Sequence, residues 1–270
     1  MLVTYRAFIE QLLIEASSVA RENFGKVTGT SKGDDNNQVL TETDLAIGAY
    51  LVSQIRGRFP EHNVIDEEMG AIDNGSIYTW VVDPVDGTSN FASGLAEYAI
   101  LLGLLKDGEP IAGGIALPNF DKLYLAERGK GATCNGRPVR ITAESRLLST
   151  LVAYGIDGHQ EDPDRTHAEA AMLGDLILAI RNLRSSNSAY DFAMVAQGSY
   201  GAYLNQTSKI WDNVAPQIVL EEAGAMYTDF FGRPMDYSRP LERLEQNFTC
   251  CVAAPQLHSQ LQTIIHAVPE

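Results

Sequence analysis

Two aspartates stand three residues apart in the segment WVVDPVDGTSN, residues 80–90. Asp83 ends an apolar run that is predicted to be a strand, and Pro84 fixes its own φ and disfavours a helical conformation at Asp83, so a turn is expected there. Asp86 can then swing to the same side, with the Val85 carbonyl between the two acids. Two carboxylates and one carbonyl form an all-oxygen ligand set of the kind that Mg²⁺ prefers.

The residues after the second aspartate suit a phosphate group. Gly87 allows a substrate to approach the backbone closely, and Thr88 and Ser89 open the next segment with N–H groups that can bind an anion. An ordinary surface turn is the alternative for DPVDG, since Asp, Pro and Gly are common turn formers.

Other acidic residues argue against a simple turn. Asp66, Glu67 and Glu68 follow the short apolar strand NVI, Asp44 follows LTET at the start of a helix, and Asp212 lies in KIWDNVAPQIVLEEAG. Carboxylates that cluster without a metal repel one another and raise their own pKa values. The acidic set therefore implies bound cations.

Length and charge limit the remaining function classes. A chain of 270 residues, 45% of them hydrophobic, can bury a substantial core, and we read it as one compact unit. Its formal charge of −15 predicts no affinity for nucleic acid or anionic membranes.

The N-terminal segment lacks a signal-peptide pattern, no apolar run is long enough to span a bilayer, and a cytoplasmic location is the default expectation. The three cysteines form no C-x-x-C pair and are expected to be structural thiols.

Periodicity predicts the elements that position these residues. Two opening amphipathic helices are indicated by Phe8, Ile9, Leu12, Leu13, Ala16 and Val19 and by Leu45, Ile47, Leu51, Val52 and Ile55. The segment GTSKGDDNNQVLTETD between them is predicted to be a polar loop. Strands are expected at NVI and TWVV, and an antiparallel sheet from Tyr98 to about Ile141.

The second half of the chain alternates helices and short strands. HAEAAMLGDLILAI and AYDFAMVAQG are predicted helices, and AYL and TCCVAA are predicted strands. The last clear helix is expected to run from Asp212, as its N-cap, to about Glu222, with Gly224 just past its end. The mixture predicts layered helices and sheets of α+β or α/β type.

Together these motifs resemble a known family. DPVDGTSNF, the upstream IDEEMG and the downstream WDNVAPQIVLEEAGA are similar to the signature motifs of the inositol monophosphatase family, which are Mg²⁺-dependent, lithium-sensitive phosphatases. The resemblance implies an αβαβα sandwich of the inositol monophosphatase and fructose-1,6-bisphosphatase type. It also implies one phosphatase unit over residues 1–270, with lobes at about 1–145 and 146–270, a metal site between them, and a homodimer.

Carried over position by position, the resemblance implies two to three Mg²⁺ ions. Glu67, Asp83 and the Val85 carbonyl would hold one ion, Asp83 would bridge to a second ion held by Asp86 and Asp212, and Glu67 would help to hold a weaker third. Thr88, paired with Asp44, resembles the group that orients and deprotonates the attacking water, so the implied catalytic residues are Thr88, Asp44 and Glu67. Glu68 would act behind the ligands. Lys32 matches a lysine that lies in a loop near the metals in relatives, and a solvated lysine is its alternative role.

The expected substrate is a small phosphorylated metabolite. The implied contacts are Asp86, Gly87, Thr88, Ser188, Asn205 and Asp212, and Ser188 could instead cap the following helix. Asn205 stands where inositol-specific members carry a glutamate that accepts hydrogen bonds from the polyol, and a surface turn is its alternative role. Inositol monophosphate is the first substrate expected. Lys209 would suit a second anionic group, which keeps fructose 1,6-bisphosphate and 3′-phosphoadenosine 5′-phosphate open, with histidinol phosphate as a further alternative.

Two other function classes compete with a metal-dependent phosphomonoesterase. One is a phosphatase-like binding or regulatory protein, and the other is an acidic metal-binding protein without chemistry. The pair Thr88 and Asp44 argues against the first, because a protein that only binds has no need of a water-activating pair. The phosphate-facing GTS segment argues against the second.

Overall fold

The structure is a computed structural model that describes residues 4–26, 29–32 and 35–267, without the side chains of residues 31, 32 and 35–39. The helices are α1 Tyr5–Asn23, α2 Glu42–Arg58, α3 Thr88–Ala92, α4 Pro163–Ala179, α5 Tyr190–Ala196, α6 Ile210–Glu222 and α7 Pro255–Ile265. The strands are β1 Thr30–Lys32, β2 Asp35–Leu40, β3 Asn63–Asp66, β4 Gly70–Ile72, β5 Tyr78–Asp86, β6 Ala99–Lys106, β7 Glu109–Leu117, β8 Lys122–Glu127, β9 Ala132–Cys134, β10 Arg137–Pro138, β11 Leu151–Gly155, β12 Asn182–Arg184, β13 Ala202–Ser208, β14 Met226–Thr228 and β15 Phe248–Ala253.

Two large sheets carry the fold. The first has eight strands in the order β10-β9-β8-β7-β6-β5-β3-β4, and only its β3–β5 pair is parallel. The predicted antiparallel sheet after Tyr98 is confirmed by the pairing of β6 to β10. The second sheet has five strands in the order β12-β11-β13-β15-β14, in which β11 runs parallel to both of its neighbours.

Apolar side chains divide the helices into three layers. The outer layer of α1 and α2 covers one face of the eight-stranded sheet, where Leu12 and Leu51 join Trp80 and Leu102 in one buried cluster. The middle layer contains α5 and α6, whose side chains pack between the two sheets. The other outer layer contains α4 and α7, which cover the far face of β11, β13 and β15. This order confirms the predicted αβαβα sandwich.

Helix α6 lies unusually close to the first sheet. A Cβ atom added at Gly113 in β7 would stand 2.7 Å from the Ile218 side chain and 3.0 Å from the Ala215 backbone. A Cβ atom at Gly103 in β6 would stand 2.7 Å from Val214. The glycines of β6 and β7 thus let α6, with Asp212 in its first turn, approach the sheet that carries Asp83.

Three sequence predictions were wrong. The expected polar loop contains the antiparallel pair β1 and β2, because polar strands lack the apolar alternation that marks a half-buried strand. Leu45 was assigned to the buried face of α2 but is 44% exposed. The helix at Asp212 is not the last one, since α7 follows it, with Pro255 in its first turn and Leu257, Leu261 and Ile265 buried along one face.

Two further expectations concern thiols and membranes. All three cysteines are free, and Cys250 and Cys251 are buried in β15, as structural thiols would be. Within the described residues, every helix is too short or too polar to cross a bilayer.

Candidate active site

One cavity of about 390 Å³ collects most of the residues expected in the site. Its lining contains all of the expected metal and substrate residues, which are Glu67, Asp83, Val85, Asp86, Gly87, Thr88, Ser188, Asn205 and Asp212. Asp44 does not line the cavity and is buried behind Thr88. The cavity therefore brings together groups that are up to about half the chain apart in sequence.

The centre of the cavity is an acidic cluster of Asp83, Asp86 and Asp212. Each of the three offers a carboxylate oxygen, and these oxygens all lie within 4.8 Å of one another. Asp83 is 1% exposed, and its Oδ1 has no hydrogen-bond partner among the described residues. A buried, unsatisfied anionic oxygen is costly unless a cation pairs with it. The cluster therefore fits a hard divalent cation, for which carboxylate oxygen is the preferred ligand.

A bulge in β5 positions Asp83 and Asp86. The strand does not end at Asp83 but continues to Asp86, and its register against β6 shifts between the two residues. Pro84 has no N–H to donate to the ladder, so the irregularity falls where a regular pair could not form. The Ala189 N–H, from the start of α5, donates to Asp86 and fixes its carboxylate.

Asp212 is held by the first turn of α6, although not as its N-cap. The helix begins at Ile210 and Lys209 is the N-cap, so Asp212 is the third helical residue. Its Oδ2 accepts the Lys209 N–H at 2.6 Å, in the manner of a capping box. The sequence prediction of an N-cap at Asp212 was wrong: an acid at the third helical position accepts the N–H of the N-cap residue, and the residue type alone does not distinguish these two positions.

Burial and mutual repulsion perturb all three acids. Burial raises the pKa of Asp83 well above its ordinary value, and the charges of Glu67, Asp86 and Asp212 raise it further. Burial, followed by the charge of Asp212, also raises the pKa of Asp86. Burial raises the pKa of Asp212 to about 6, although the Lys209 N–H favours its anion. A positive charge is needed to keep these groups ionised together near neutral pH.

Glu67 approaches the cluster from the end of β3. Its N–H donates to the Val82 carbonyl at 3.2 Å, which extends the parallel contact with β5 beyond the strand. The preceding residue, Asp66, is buried and accepts the N–H groups of Glu68 and Met69 at 2.9 and 2.8 Å. Glu67 lines the cavity, whereas Glu68 does not.

Gly87 follows the bulge of β5 and packs against the segment before α5. It has φ +81° and ψ 41°, a left-handed conformation that favours glycine, and it is the N-cap of the short helix α3. A Cβ atom at this position would lie 2.7 Å from Ser188 Cβ. Ser188 lines the cavity, where a substrate contact was expected. Ala189, and not Ser188, is the N-cap of α5, and Ser188 Oγ accepts the Tyr190 N–H at 3.2 Å from the position before the cap.

Thr88 and Asp44 form a buried pair. Thr88 Oγ1 lies 3.1 Å from Asp44 Oδ1 and 2.7 Å from the Val85 carbonyl oxygen. The other oxygen of Asp44 accepts the Thr41 N–H at 3.0 Å and the Thr41 hydroxyl, which cap α2. Burial raises the pKa of Asp44, and the hydrogen bonds from Thr41 and Thr88 oppose that rise.

Asn205 lines the cavity with its amide already engaged. Its Oδ1 accepts the Thr207 N–H at 2.7 Å, and its Nδ2 donates to the Tyr203 hydroxyl at 3.0 Å. Asn205 is therefore neither a free surface turn nor a freely turning amide. Two of its hydrogen-bonding positions serve the local shape of β13.

The two lysines expected near the site have different outcomes. Lys209 Nζ donates to the Glu245 carbonyl at 2.9 Å and lies 3.5 Å from Glu245 Oε2. It does not line the cavity, so the expectation that it meets a second anionic group of the substrate is not supported. The side chain of Lys32 lies outside what the structure describes.

The cavity residues that sequence reasoning missed include Asp157 and Asn187. Asp157 follows β11, and Asn187 Nδ2 donates to its Oδ1 at 3.2 Å and to the Ile156 carbonyl at 2.9 Å. An acid directly after an apolar strand is the same signal that pointed to Asp83. The pairing with Asn187 has no such signal, because it joins segments 30 residues apart.

Comparison with known proteins agrees with this geometry. The sequence profile of the Inositol monophosphatase family matches residues 1–269. The chain belongs to the inositol monophosphatase family. It is 34% identical over 233 residues to "Fructose-1,6-bisphosphatase/inositol-1-monophosphatase" of Aquifex aeolicus, covering 83% of this chain and 85% of that protein. It is 33% identical to "Nus factor SuhB" of Xylella fastidiosa, covering 71% and 69%.

A solved structure of the family has the same fold. The inositol monophosphatase of Anabaena (Nostoc) sp. PCC 7120 superposes with a TM-score of 0.84 at 28% identity, covering 98% of this chain and 96% of that one. The inositol monophosphatase family consists of phosphatases, so this member is a phosphoric monoester hydrolase. The family is generally metal-dependent, in agreement with the acidic cluster.

Proposed function

We propose that this member of the inositol monophosphatase family is a Mg²⁺-dependent phosphomonoesterase that hydrolyses a small phosphorylated metabolite, with inositol monophosphate as the first candidate. The observation that carries the proposal is the position of the Thr88–Asp44 pair beside the acidic cluster of Asp83, Asp86 and Asp212. The acidic cluster and Thr88 line one cavity, and Asp44 lies directly behind Thr88. Hydrolysis needs such an adjacency, because the water and the phosphate must meet at one place.

The metal site that we propose would hold two to three Mg²⁺ ions. Glu67, Asp83 and the Val85 carbonyl would hold one ion, and Asp83, Asp86 and Asp212 would hold another, with Glu67 also near a third. Support comes from the all-oxygen donor set and from the unpartnered Oδ1 of Asp83 among the described residues. When bound, such ions neutralise phosphoryl charge and lower the pKa of water.

The protein's own groups would hold and move the proton. Asp44 is an acceptor fixed by Thr41, and Thr88 stands between Asp44 and the cavity. We assign Thr88 and Asp44 to proton transfer from the attacking water, with Glu67 as the third catalytic residue. The raised pKa of Asp44 brings the carboxylate closer to the range in which a general base works well.

The substrate contacts proposed for this site surround the same space. The backbone of Gly87 and the Thr88 side chain would face the phosphate, while Ser188 and Asn205 would face the leaving group. Asp86 and Asp212 would border both. Support comes from the shared lining of one cavity. The solved structures with a similar fold include "SaIMPase-II", which is described as inositol monophosphate bound. The likeness of this chain to that protein is one of fold alone.

A second candidate substrate is fructose 1,6-bisphosphate. It is favoured by the name of the Aquifex relative, which joins both activities. It is disfavoured by Lys209, which is held by Glu245 outside the cavity. Histidinol phosphate and 3′-phosphoadenosine 5′-phosphate are further candidates in the same screen.

A regulatory role is the alternative from another class. The Xylella relative carries the name of a Nus factor, which supports that alternative. The intact Thr88–Asp44 pair favours catalysis, since binding alone does not require it.

We also propose that lithium inhibits the enzyme, that it forms a homodimer and that its location is cytoplasmic. We further propose one unit with lobes at about 1–145 and 146–270 that border the site.

The deciding experiment is a phosphate-release screen with the purified protein. Inositol 1-phosphate, fructose 1,6-bisphosphate, histidinol phosphate and 3′-phosphoadenosine 5′-phosphate would each be tested with Mg²⁺, with Mg²⁺ and Li⁺, and with excess EDTA. We expect release with Mg²⁺ and none with EDTA. Release that persists in excess EDTA would contradict the metal requirement, and no release from any substrate would favour the regulatory alternative.

A further inference from the structure

A second group of residues lines the cavity beside the acidic cluster. It consists of Asp157, Asn187, Asn205 and Thr207, and we call it the polar wall. These residues come from three places in the fold: the loop after β11, the segment before α5, and β13. Asp157 is the one charged member of the polar wall, and the described residues that line the cavity include no Lys, Arg or His.

Hydrogen bonds connect Asp157, through the segment before α5, to one of the acids of the cluster. Asn187 donates to Asp157 Oδ1 at 3.2 Å and exchanges two further hydrogen bonds with the backbone of Ile156, at 2.9 and 3.2 Å. Two residues after Asn187, the Ala189 N–H donates to Asp86. A short run of covalent and hydrogen bonds therefore connects the Asp157 carboxylate to the Asp86 carboxylate.

The amide of Asn205 cannot take over the role of a charged acceptor. Its Oδ1 is occupied by the Thr207 N–H at 2.7 Å and one of its N–H groups by the Tyr203 hydroxyl. A carboxylate, in contrast, can accept several hydrogen bonds at once, so a partner within the protein does not prevent Asp157 from accepting another from a ligand.

The charges of the cavity reinforce this difference. Glu67, Asp83, Asp86 and Asp212 carry four negative charges when ionised, which two divalent cations offset. A bound phosphate monoester then adds negative charge, and Asp157 adds one more. A second phosphate on the substrate would meet a surplus of negative charge, whereas a hydroxyl or ammonium group would meet a charged acceptor.

We infer that Asp157 sets the substrate class of this enzyme: its carboxylate accepts hydrogen bonds from hydroxyl or ammonium groups of the leaving group and discriminates against substrates with a second phosphate. The inference rests on the proposed phosphomonoesterase function. Asp157 is thus a specificity-determining residue, and its removal changes the ranking of substrates more than it changes the chemistry.

The test compares three substrates in the presence of Mg²⁺. Inositol 1-phosphate and inositol 1,4-bisphosphate share one ring and differ by one phosphate, and p-nitrophenyl phosphate offers no hydroxyl or ammonium donor to Asp157. Values of kcat/KM would be measured for the wild type, Asp157→Asn and the control Glu161→Gln, which removes one charge from an exposed position on the same loop. Dividing each value by that for p-nitrophenyl phosphate cancels general effects on the metals.

We expect Asp157→Asn to lower the normalised value for inositol 1-phosphate by about fivefold, because a hydrogen bond to a charged acceptor is stronger than one to a neutral acceptor. The ratio of bisphosphate to monophosphate should rise by about tenfold, because one repulsive charge is removed. Glu161→Gln should leave both quantities at their wild-type values. Asp157→Ser, which also removes the charge, should repeat the change if Asp157→Asn folds poorly.

Two results would overturn the inference in distinguishable ways. Hydrolysis of all three substrates with both ratios within about twofold of wild type in Asp157→Asn and Asp157→Ser would place Asp157 outside substrate recognition, and the phosphatase proposal would stand. Failure of the wild type to hydrolyse any of the three, together with no phosphate release from any substrate of the wider screen, would remove the proposed function and the inference together.

Discussion

The hydroxyl oxygen of Thr88 lies 3.1 Å from Oδ1 of Asp44, a residue 44 positions earlier in the chain. The same oxygen lies 2.7 Å from the Val85 carbonyl, and a hydroxyl has one hydrogen to donate, so it can satisfy only one of these acceptors at a time. Thr41 occupies the other oxygen of Asp44. The oxygen that faces Thr88 is thus the one left to take up a proton.

Replacing Thr88 should therefore affect the chemical step. We expect Thr88→Ala and Thr88→Val to lower kcat by about 10²–10⁴-fold, the usual contribution of general-base catalysis. Thr88→Ser keeps the hydroxyl and should retain more activity. The Mg²⁺ concentration for half-maximal activity, measured in parallel, should change much less than kcat. A Thr88→Ala enzyme with kcat within about twofold of wild type would remove Thr88 from the mechanism.

Asp83 should be essential for metal binding but not for folding. Asp83→Asn removes a charge from the most buried acid of the cluster, where burial and four neighbouring carboxylates already raise the pKa of Asp83. Turnover should fall to background, and Mn²⁺ or Mg²⁺ binding measured by calorimetry should weaken. The melting temperature in EDTA should stay the same or rise, because repulsion is relieved. Substantial turnover at saturating Mg²⁺ would contradict the assignment.

Gly87 should tolerate no side chain. Gly87→Ala places a Cβ in a left-handed conformation and 2.7 Å from Ser188 Cβ. Gly94→Ala is the matched control, because Gly94 has φ +74° and nothing within 4 Å of an added Cβ. Each variant should lose about 1 kcal/mol of stability to the backbone conformation, measured by urea unfolding.

Only Gly87→Ala should lose further stability and catalytic efficiency, since it must also displace Ser188 from the cavity wall. Equal stability and equal kcat/KM in the two alanine variants would show that the contact with Ser188 has no consequence. In that case the glycine would be needed for its backbone conformation alone.

Asp191 should make the fold less stable at high pH. Burial raises its pKa from 3.8 to about 6, and its Oδ1 has no hydrogen-bond partner among the described residues. A carboxyl with a raised folded-state pKa binds more protons in the folded state, so stability falls as pH rises from about 3.8 to about 6. The charge of Glu97 adds to the rise in the pKa of Asp191, and the hydrogen bonds from Ser186 oppose it.

Asp191→Asn should therefore raise the free energy of unfolding at pH 8 by about 1–3 kcal/mol, as expected from a shift of about two pKa units. The gain should disappear near about pH 3, below both the ordinary pKa of 3.8 and the folded-state pKa of about 6, where the wild-type carboxyl is mostly protonated in both states. Urea unfolding at the two pH values, in metal-free buffer, measures it. A gain of equal size at both pH values would point to packing and not to ionisation.

The sequence predicted the parts of the site that depend on local chemistry. Asp83, Val85, Asp86 and Thr88 fall within one short motif, and the strand before them is clear from its apolar run. The five-layer order could be predicted only through the resemblance to a family, since periodicity alone does not say which sheet a helix covers. Helix α7 was missed although its apolar spacing is regular.

Contacts between distant segments could not be predicted. The direction of Lys209 depends on Glu245, 36 residues later. Asp157 gains its place in the cavity through Asn187. Each case involves a polar side chain whose partner is chosen by the packed fold, and the residue types alone are compatible with several partners.

A double variant, Asp157→Asn with Asn205→Asp, moves one negative charge within the polar wall. Asp at position 205 can still accept the Thr207 N–H, and the Tyr203 hydroxyl can turn to donate to it. Because Coulomb repulsion depends on the charge present in the cavity, Asn205→Asp alone should lower the kcat/KM ratio of inositol 1,4-bisphosphate to inositol 1-phosphate.

The double variant should return that ratio from the high value of Asp157→Asn to within about threefold of wild type, while the two single changes act in opposite directions. Steady-state kinetics of the four proteins form a complete cycle, and their melting temperatures check that each is folded. If the double variant had the same bisphosphate-to-monophosphate kcat/KM ratio as Asp157→Asn, a charge at position 205 would have no effect on the second phosphate. Discrimination would then depend on the position of the Asp157 carboxylate and not on the net charge of the polar wall.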